Sequence, residues 1–104
     1  MTYRIIYAPS FLADVRNQIA YMVDEAVSPA TIGHWFSGLY QRLDNLDDMP
    51  KRYPVDPVQT SMAGRETRKM TFGDYLVFYQ IDDAGKRVDL VAFMHSAKRR
   101  EAPK

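Results

Sequence analysis

The spacing of apolar positions changes twice along this chain, from two residues to about four and back to two. The segment YRIIYA (3–8) is short, β-branched and aromatic, which predicts a first strand. Pro9-Ser10 ends it, with Ser10 as the expected cap of a helix over 11–26 and Asp14 in its first turn, near the positive end of the helix dipole. Leu12, Val15, Ile19, Met22 and Ala26 recur along one face of that helix. Ser28-Pro29 repeats the start signal, with serine as cap and proline at the first helical position. Ile32, Phe36, Leu39, Leu43 and Leu46 then mark the inner face of a second helix ending before Pro50. Only VSP separates the two, so they form an antiparallel hairpin. Gly33 and Gly38 each cost about 1 kcal/mol inside the second helix, and close backbone contact is the expected reason for them.

Residues 50–63, PKRYPVDPVQTSMA, hold three prolines and show no period, so a loop is expected. After it the alternation returns. In ETRKMTF (66–72), Arg68, Met70 and Phe72 alternate with Thr67, Lys69 and Thr71. Gly73-Asp74 turns the chain into YLVFYQI (75–81), which is apolar on both faces and therefore central. DDAGK (82–86) is a second hairpin loop, and RVDLVAFMH (87–95) is the last strand. The expected fold class is α+β: an N-terminal strand, an α-helical hairpin and a three-stranded antiparallel meander. This gives a small, mostly antiparallel sheet with helices packed on one face.

A length of 104 residues suits one domain spanning 1–104. The absence of cysteine excludes disulfides, thiolate metal sites and thiol nucleophiles. Nothing in the sequence has the length of a membrane span or the layout of a signal peptide, so a cytoplasmic protein is expected. Net charge is +1, but it is unevenly distributed: residues 1–50 hold three basic side chains against six acidic, and residues 51–104 hold eleven against seven. Arg65, Arg68 and Lys69 lie on the first meander strand, and Lys98, Arg99 and Arg100 follow the last. If that order holds, the two clusters flank 75–81 and bound one basic concavity. His34 and His95 stand far apart, so no metal site is expected, and no cofactor is implied. There is no nucleophile elbow and no glycine-rich phosphate loop. What remains is a cationic set with His95: guanidinium groups suit phosphate oxygens, and an imidazole moves protons near neutral pH.

Taken together, the strand–helix–helix–sheet order, the P-x-R-Y-P loop, RETRKMTFGDYLVFYQIDD and VDLVAFMHSAKRR resemble the RelE/ParE superfamily of type II toxin–antitoxin toxins, from Tyr3 to Arg100. The resemblance implies a growth-arresting protein neutralised by a cognate antitoxin, as a homodimer or as a hetero-oligomer with it, with no membrane partner. It carries two activities. A RelE-like toxin cuts ribosome-bound mRNA, and Arg68, His95 and Arg99 are then the candidate catalytic residues. A ParE-like toxin inhibits DNA gyrase without catalysis. In either case Arg65, Arg68, Lys69, His95, Lys98, Arg99 and Arg100 are the expected target or phosphate contacts. A non-toxic relative acting as a repressor component with its antitoxin is a further reading. No tyrosine follows Tyr79, Leu76 stands where many relatives have arginine, and the 50–63 loop carries only Lys51 and Arg52 as cations. These features place the chain nearer the ParE-like branch.

Overall fold

The computed structural model describes residues 2–97. Along the chain it has β1 (Arg4–Tyr7), α1 (Pro9–Asp24), α2 (Pro29–Asp44), α3 (Pro57–Ala63), β2 (Arg68–Phe72), β3 (Tyr75–Asp82) and β4 (Arg87–His95). Short 3-10 turns follow α2 at Asn45–Asp47 and Pro50–Arg52. The four strands make one sheet in the order β1-β4-β3-β2. β1 runs parallel to β4, and the other neighbours are antiparallel. The α+β architecture expected from the sequence is the one observed. Among the described residues, no helix is long and apolar enough to cross a membrane.

The core lies between the helical hairpin and one face of the sheet. Phe11 and Val15 of α1, Leu39 and Leu43 of α2, and Leu46 meet Met70, Val77, Tyr79, Val88, Leu90 and Phe93. Each such side chain stabilises the fold by about 1.5–3 kcal/mol when fully buried. Leu76 and Phe78, on the opposite face of β3, are buried as well, which makes β3 central as its double-sided apolarity predicts. At one end of the sheet, Trp35 stands edge-on to Tyr75 (5.4 Å), Phe93 (5.9 Å) and Phe72 (6.2 Å).

Where α1 meets β4, two expectations are corrected. The helix starts at Pro9, capped by Ala8 with no side-chain bond, so Ser10 is not its cap. Asp14 lies beyond its first turn. Both side chains serve β4 instead. β1 pairs with β4 only from Arg87 to Leu90, and Val91 is then squeezed out as a bulge between the pairs Tyr79–Leu90 and Phe78–Ala92. Ser10 Oγ donates to the Val91 carbonyl at 2.7 Å, and Asp14 Oδ2 accepts the Phe93 N–H at 3.0 Å. Side chains of α1 thus continue the pairing that β1 abandons.

The start of α2 is as expected: Ser28 Oγ accepts from the Thr31 N–H, and Pro29 occupies the first turn. Its inner face is narrower than the periodicity suggests, because Phe36 is 39% exposed. Gly33 is not at a close contact; a methyl group there would meet nothing within 4 Å. At Gly38 it would meet the Phe72 ring at 3.7 Å, an ordinary contact. The 50–63 segment is no plain loop either. Asp56 caps α3 by accepting from the Gln59 N–H, Pro57 opens the helix, and Gly64 closes it with left-handed backbone (φ 68°). Val55 adds a single bridge to the outer side of Arg68.

Two stability measurements check this description. Asp14→Ala leaves the Phe93 N–H without its acceptor and is expected to destabilise the protein by about 1–3 kcal/mol in a urea titration. Gly33→Ala places a methyl group in open space on a helix and is expected to stabilise by about 0.5–1 kcal/mol.

Candidate functional site

The sheet divides the predicted basic residues between its two faces. Met70 points into the core, so Arg68 and Phe72 share its side and Lys69 takes the other, opposite Phe78. Lys69 Nζ lies 3.9 Å from Asp56, and Arg65 lies 3.9 Å from Asp89, both away from the helical hairpin. His95 shares the hairpin side with Phe93 and Tyr75, its cross-strand partner, whose ring it meets edge-on at 5.2 Å. Its Nδ1 accepts the Ala97 N–H at 3.0 Å, so the imidazole hydrogen sits on Nε2. Arg68 pairs with Tyr79 and His95 with Tyr75, so four positions of β3, about 13 Å, separate them. The structure therefore brings Arg65 and Lys69 to one face and sets Arg68 and His95 apart on the other. Lys98, Arg99 and Arg100 lie outside the described residues, and so does the second half of the expected concavity.

Arg68 is occupied. Its Nη1 donates to the Tyr53 carbonyl at 2.6 Å and the Lys51 carbonyl at 3.0 Å, and Nη2 lies 3.5 Å from Glu66. The side chain is 15% exposed, and its buried Nε has no hydrogen-bond partner among the described residues. Beside it, the buried Tyr79 hydroxyl donates to the Pro50 carbonyl at 2.6 Å. Arginine and tyrosine together hold the 50–53 segment by three of its four backbone carbonyls, those of Pro50, Lys51 and Tyr53, and Arg52 Nη2 adds a bond to the Asn45 carbonyl at 3.0 Å. What this segment presents outward is Met49, Lys51 and Arg52, all exposed.

A cavity of about 470 Å³ opens beside it, lined by Tyr3, Asp48, Met49, Pro50, Lys51 and Arg52. At its rim the Asp83 carboxylate accepts from Tyr3 Oη and from Lys51 Nζ, at 2.8 and 2.9 Å. The hydrogen bond from Lys51 and that from Tyr3 hold the Asp83 carboxyl below its usual range. The same bonds raise Lys51 and Tyr3. The sequence shows Lys51 and Arg52 as loop cations, but nothing in it joins them to Tyr3 and Asp83. That contact spans 80 positions of chain and has no local signature.

The described site thus offers anchored cations and an open rim. It holds no acid–base pair aligned on a common point. Among the described residues there is also no group of three or more His, Cys, Asp or Glu side chains that could hold a metal. Comparison with known proteins adds what geometry alone does not. The family model described as the ParE toxin of the type II toxin–antitoxin system parDE matches residues 5–100.

The chain belongs to the ParE toxin family.

Solved structures share this fold. A chain of the RelBE2 toxin–antitoxin complex from Mycobacterium tuberculosis aligns with a TM-score of 0.59 at 19% identity, covering 91% of this chain and 99% of its own. A chain of the archaeal RelE–RelB complex from Pyrococcus horikoshii aligns with the same score at 14% identity, covering 94% and 99%. At these identities the likeness is one of fold. No curated protein matches. In this ParE-family chain, Arg65, Lys51 and Arg52 are exposed. Arg68 is directed inward.

The Tyr79 bond makes the anchoring of the 50–53 segment testable by pH. Burial pushes the Tyr79 hydroxyl far above the ordinary value of 10.0, with Arg68 opposing only in part. A group whose folded value is raised stabilises fully below its unfolded value and loses that contribution as pH rises past it. Wild-type stability is therefore expected to fall between about pH 9 and about pH 11 by more than that of Tyr79→Phe. At neutral pH the variant is expected to be about 1 kcal/mol less stable. Urea titrations of both proteins across that range make the comparison.

Proposed function

We propose that this chain is a growth-arresting toxin that acts by binding and inhibiting DNA gyrase, and that a cognate antitoxin neutralises it. The observation that carries the reading is the ParE family match over residues 5–100. The site geometry supports inhibition by contact over catalysis. Cutting RNA through its own 2′-hydroxyl needs a proton donor, a proton acceptor and a cation brought to one phosphate. Here Arg68 donates to two backbone carbonyls, and His95 lies about 13 Å away along the sheet. An inhibitor needs an exposed, charged surface instead, and the Lys51–Arg52 segment offers one, with Arg65 a further exposed cation on the face away from the hairpin. The antitoxin partner is inferred from the family, and the two structures named above come from toxin–antitoxin complexes. Lys98, Arg99 and Arg100 remain candidate target contacts in this proposal.

Purified protein in a gyrase supercoiling assay is expected to inhibit the reaction, and His95→Ala is expected to inhibit equally well. Message cleavage that appears only with added ribosomes and is abolished by His95→Ala would assign the RelE-like activity instead. Induced cells that grow normally with folded protein present would overturn the toxin reading altogether.

A further inference from the structure

Strand β1 is an edge with half of its backbone unused. Alternate residues of a strand direct their N–H and C=O groups to opposite sides. Arg4 donates to the Lys86 carbonyl at 2.8 Å and Ala8 to the Leu90 carbonyl at 3.0 Å, so the even positions face β4. Ile5 and Tyr7 therefore turn their N–H and C=O outward, and among the described residues these groups have no partner. Tyr3, the next residue of that parity, gives its N–H to the Asp47 carbonyl at 2.9 Å and closes one end of the edge. Pro9, where α1 begins, closes the other. The open window is Ile5 to Tyr7.

Edges of this kind are usually blunted by lysine, proline or a bulge, and this window has none of them. Ile6 is 36% exposed on the face away from the hairpin. On the hairpin face, apolar surface continues outward from Tyr7 to Tyr40 (5.4 Å) and from Tyr40 to Phe36 (4.6 Å).

We propose that a second copy of the chain pairs here, β1 against β1 across a two-fold axis through Ile6, joining two sheets into one of eight strands. The register follows from the open groups. Ile5 of each chain faces Tyr7 of the other, and each such pair exchanges two N–H···O bonds. Every outward group of the window is then satisfied with none left over, as an isologous interface requires. Ile6 meets Ile6, covering the exposed apolar side chain with its own copy. Arg4 falls opposite Ala8, so like charges do not meet. The chain's own β1 supplies the open groups, the apolar side chain and the charge spacing that this register uses.

The chain contains no cysteine, which makes a direct test available. Opposed residues of a pair that is not hydrogen-bonded have Cα atoms about 4.5 Å apart, within disulfide reach. Ile6→Cys is therefore expected to oxidise to a covalent dimer. Arg4→Cys, also at an exposed position but about 13 Å or more from its own copy, is expected to do so at least about tenfold more slowly. Light scattering of the wild type at micromolar concentration is expected to give a dimer. Ile6→Lys is expected to give a monomer with an unchanged circular dichroism spectrum. A monomeric wild type, or equal oxidation of the two cysteine variants, overturns the proposal. A monomer whose Ile6→Cys thiol is shielded only when antitoxin is added would assign the edge to the antitoxin and overturns it as well.

Discussion

Strand β4 carries nine residues of backbone, and β1 pairs with only four of them. The remaining groups on that side would be buried beneath α1, where each unpaired one costs about 1–3 kcal/mol. α1 removes the difficulty because only Ala8 separates it from β1, so Ser10 and Asp14 arrive where the strand pairing stops. This exchange of strand for helix side chains sets the seat of α1 on the sheet. The seat of α1 in turn places Phe11 and Val15 in the core, and α2 then closes over Val77, Leu90 and Phe93. It also confines the helical hairpin to one face, leaving Arg65, Lys69 and Asp89 on the other.

The second constraint is the tether of residues 50–53. A segment that crosses the end of a sheet has carbonyls to satisfy, and Arg68 and Tyr79 supply donors from beneath it. The guanidinium that a reader of the sequence would aim at a phosphate is thereby directed inward. Its positive charge supports the loop, and the exposed cations are the loop's own. A surface assembled this way is held from beneath by side-chain donors. Among the described residues, Arg68 and His95 do not converge on one point.

Much of the fold was legible in the sequence because its signals were local. Ser28-Pro29 capped a helix, Gly73-Asp74 made a two-residue hairpin with Gly73 at φ 56°, and the double-sided apolarity of Tyr75–Ile81 marked a central strand. What escaped was either non-local or masked by a stronger pattern. Ser10 looks like a cap until β4 is placed beside it. Three prolines hid α3, although Asp56-Pro57 and Gly64 are its start and stop signals. The site was less legible. Alternation correctly separated Arg68 from Lys69, but nothing in the sequence shows which carbonyls will lie under an arginine, or that Tyr3 will meet Asp83. The family resemblance, by contrast, rests on a pattern spread over the whole chain, and it survived these local errors.

Arg68 holds the 50–53 segment through the Lys51 and Tyr53 carbonyls, and the proposed function leaves target contact to the exposed cations. Arg68→Gln keeps much of the side chain's bulk and removes the charge, and its melting temperature and its gyrase inhibition per folded molecule can be measured together. A clamp predicts a melting temperature lowered by several degrees with inhibition by the folded fraction retained. An unchanged melting temperature with inhibition lost would contradict the account.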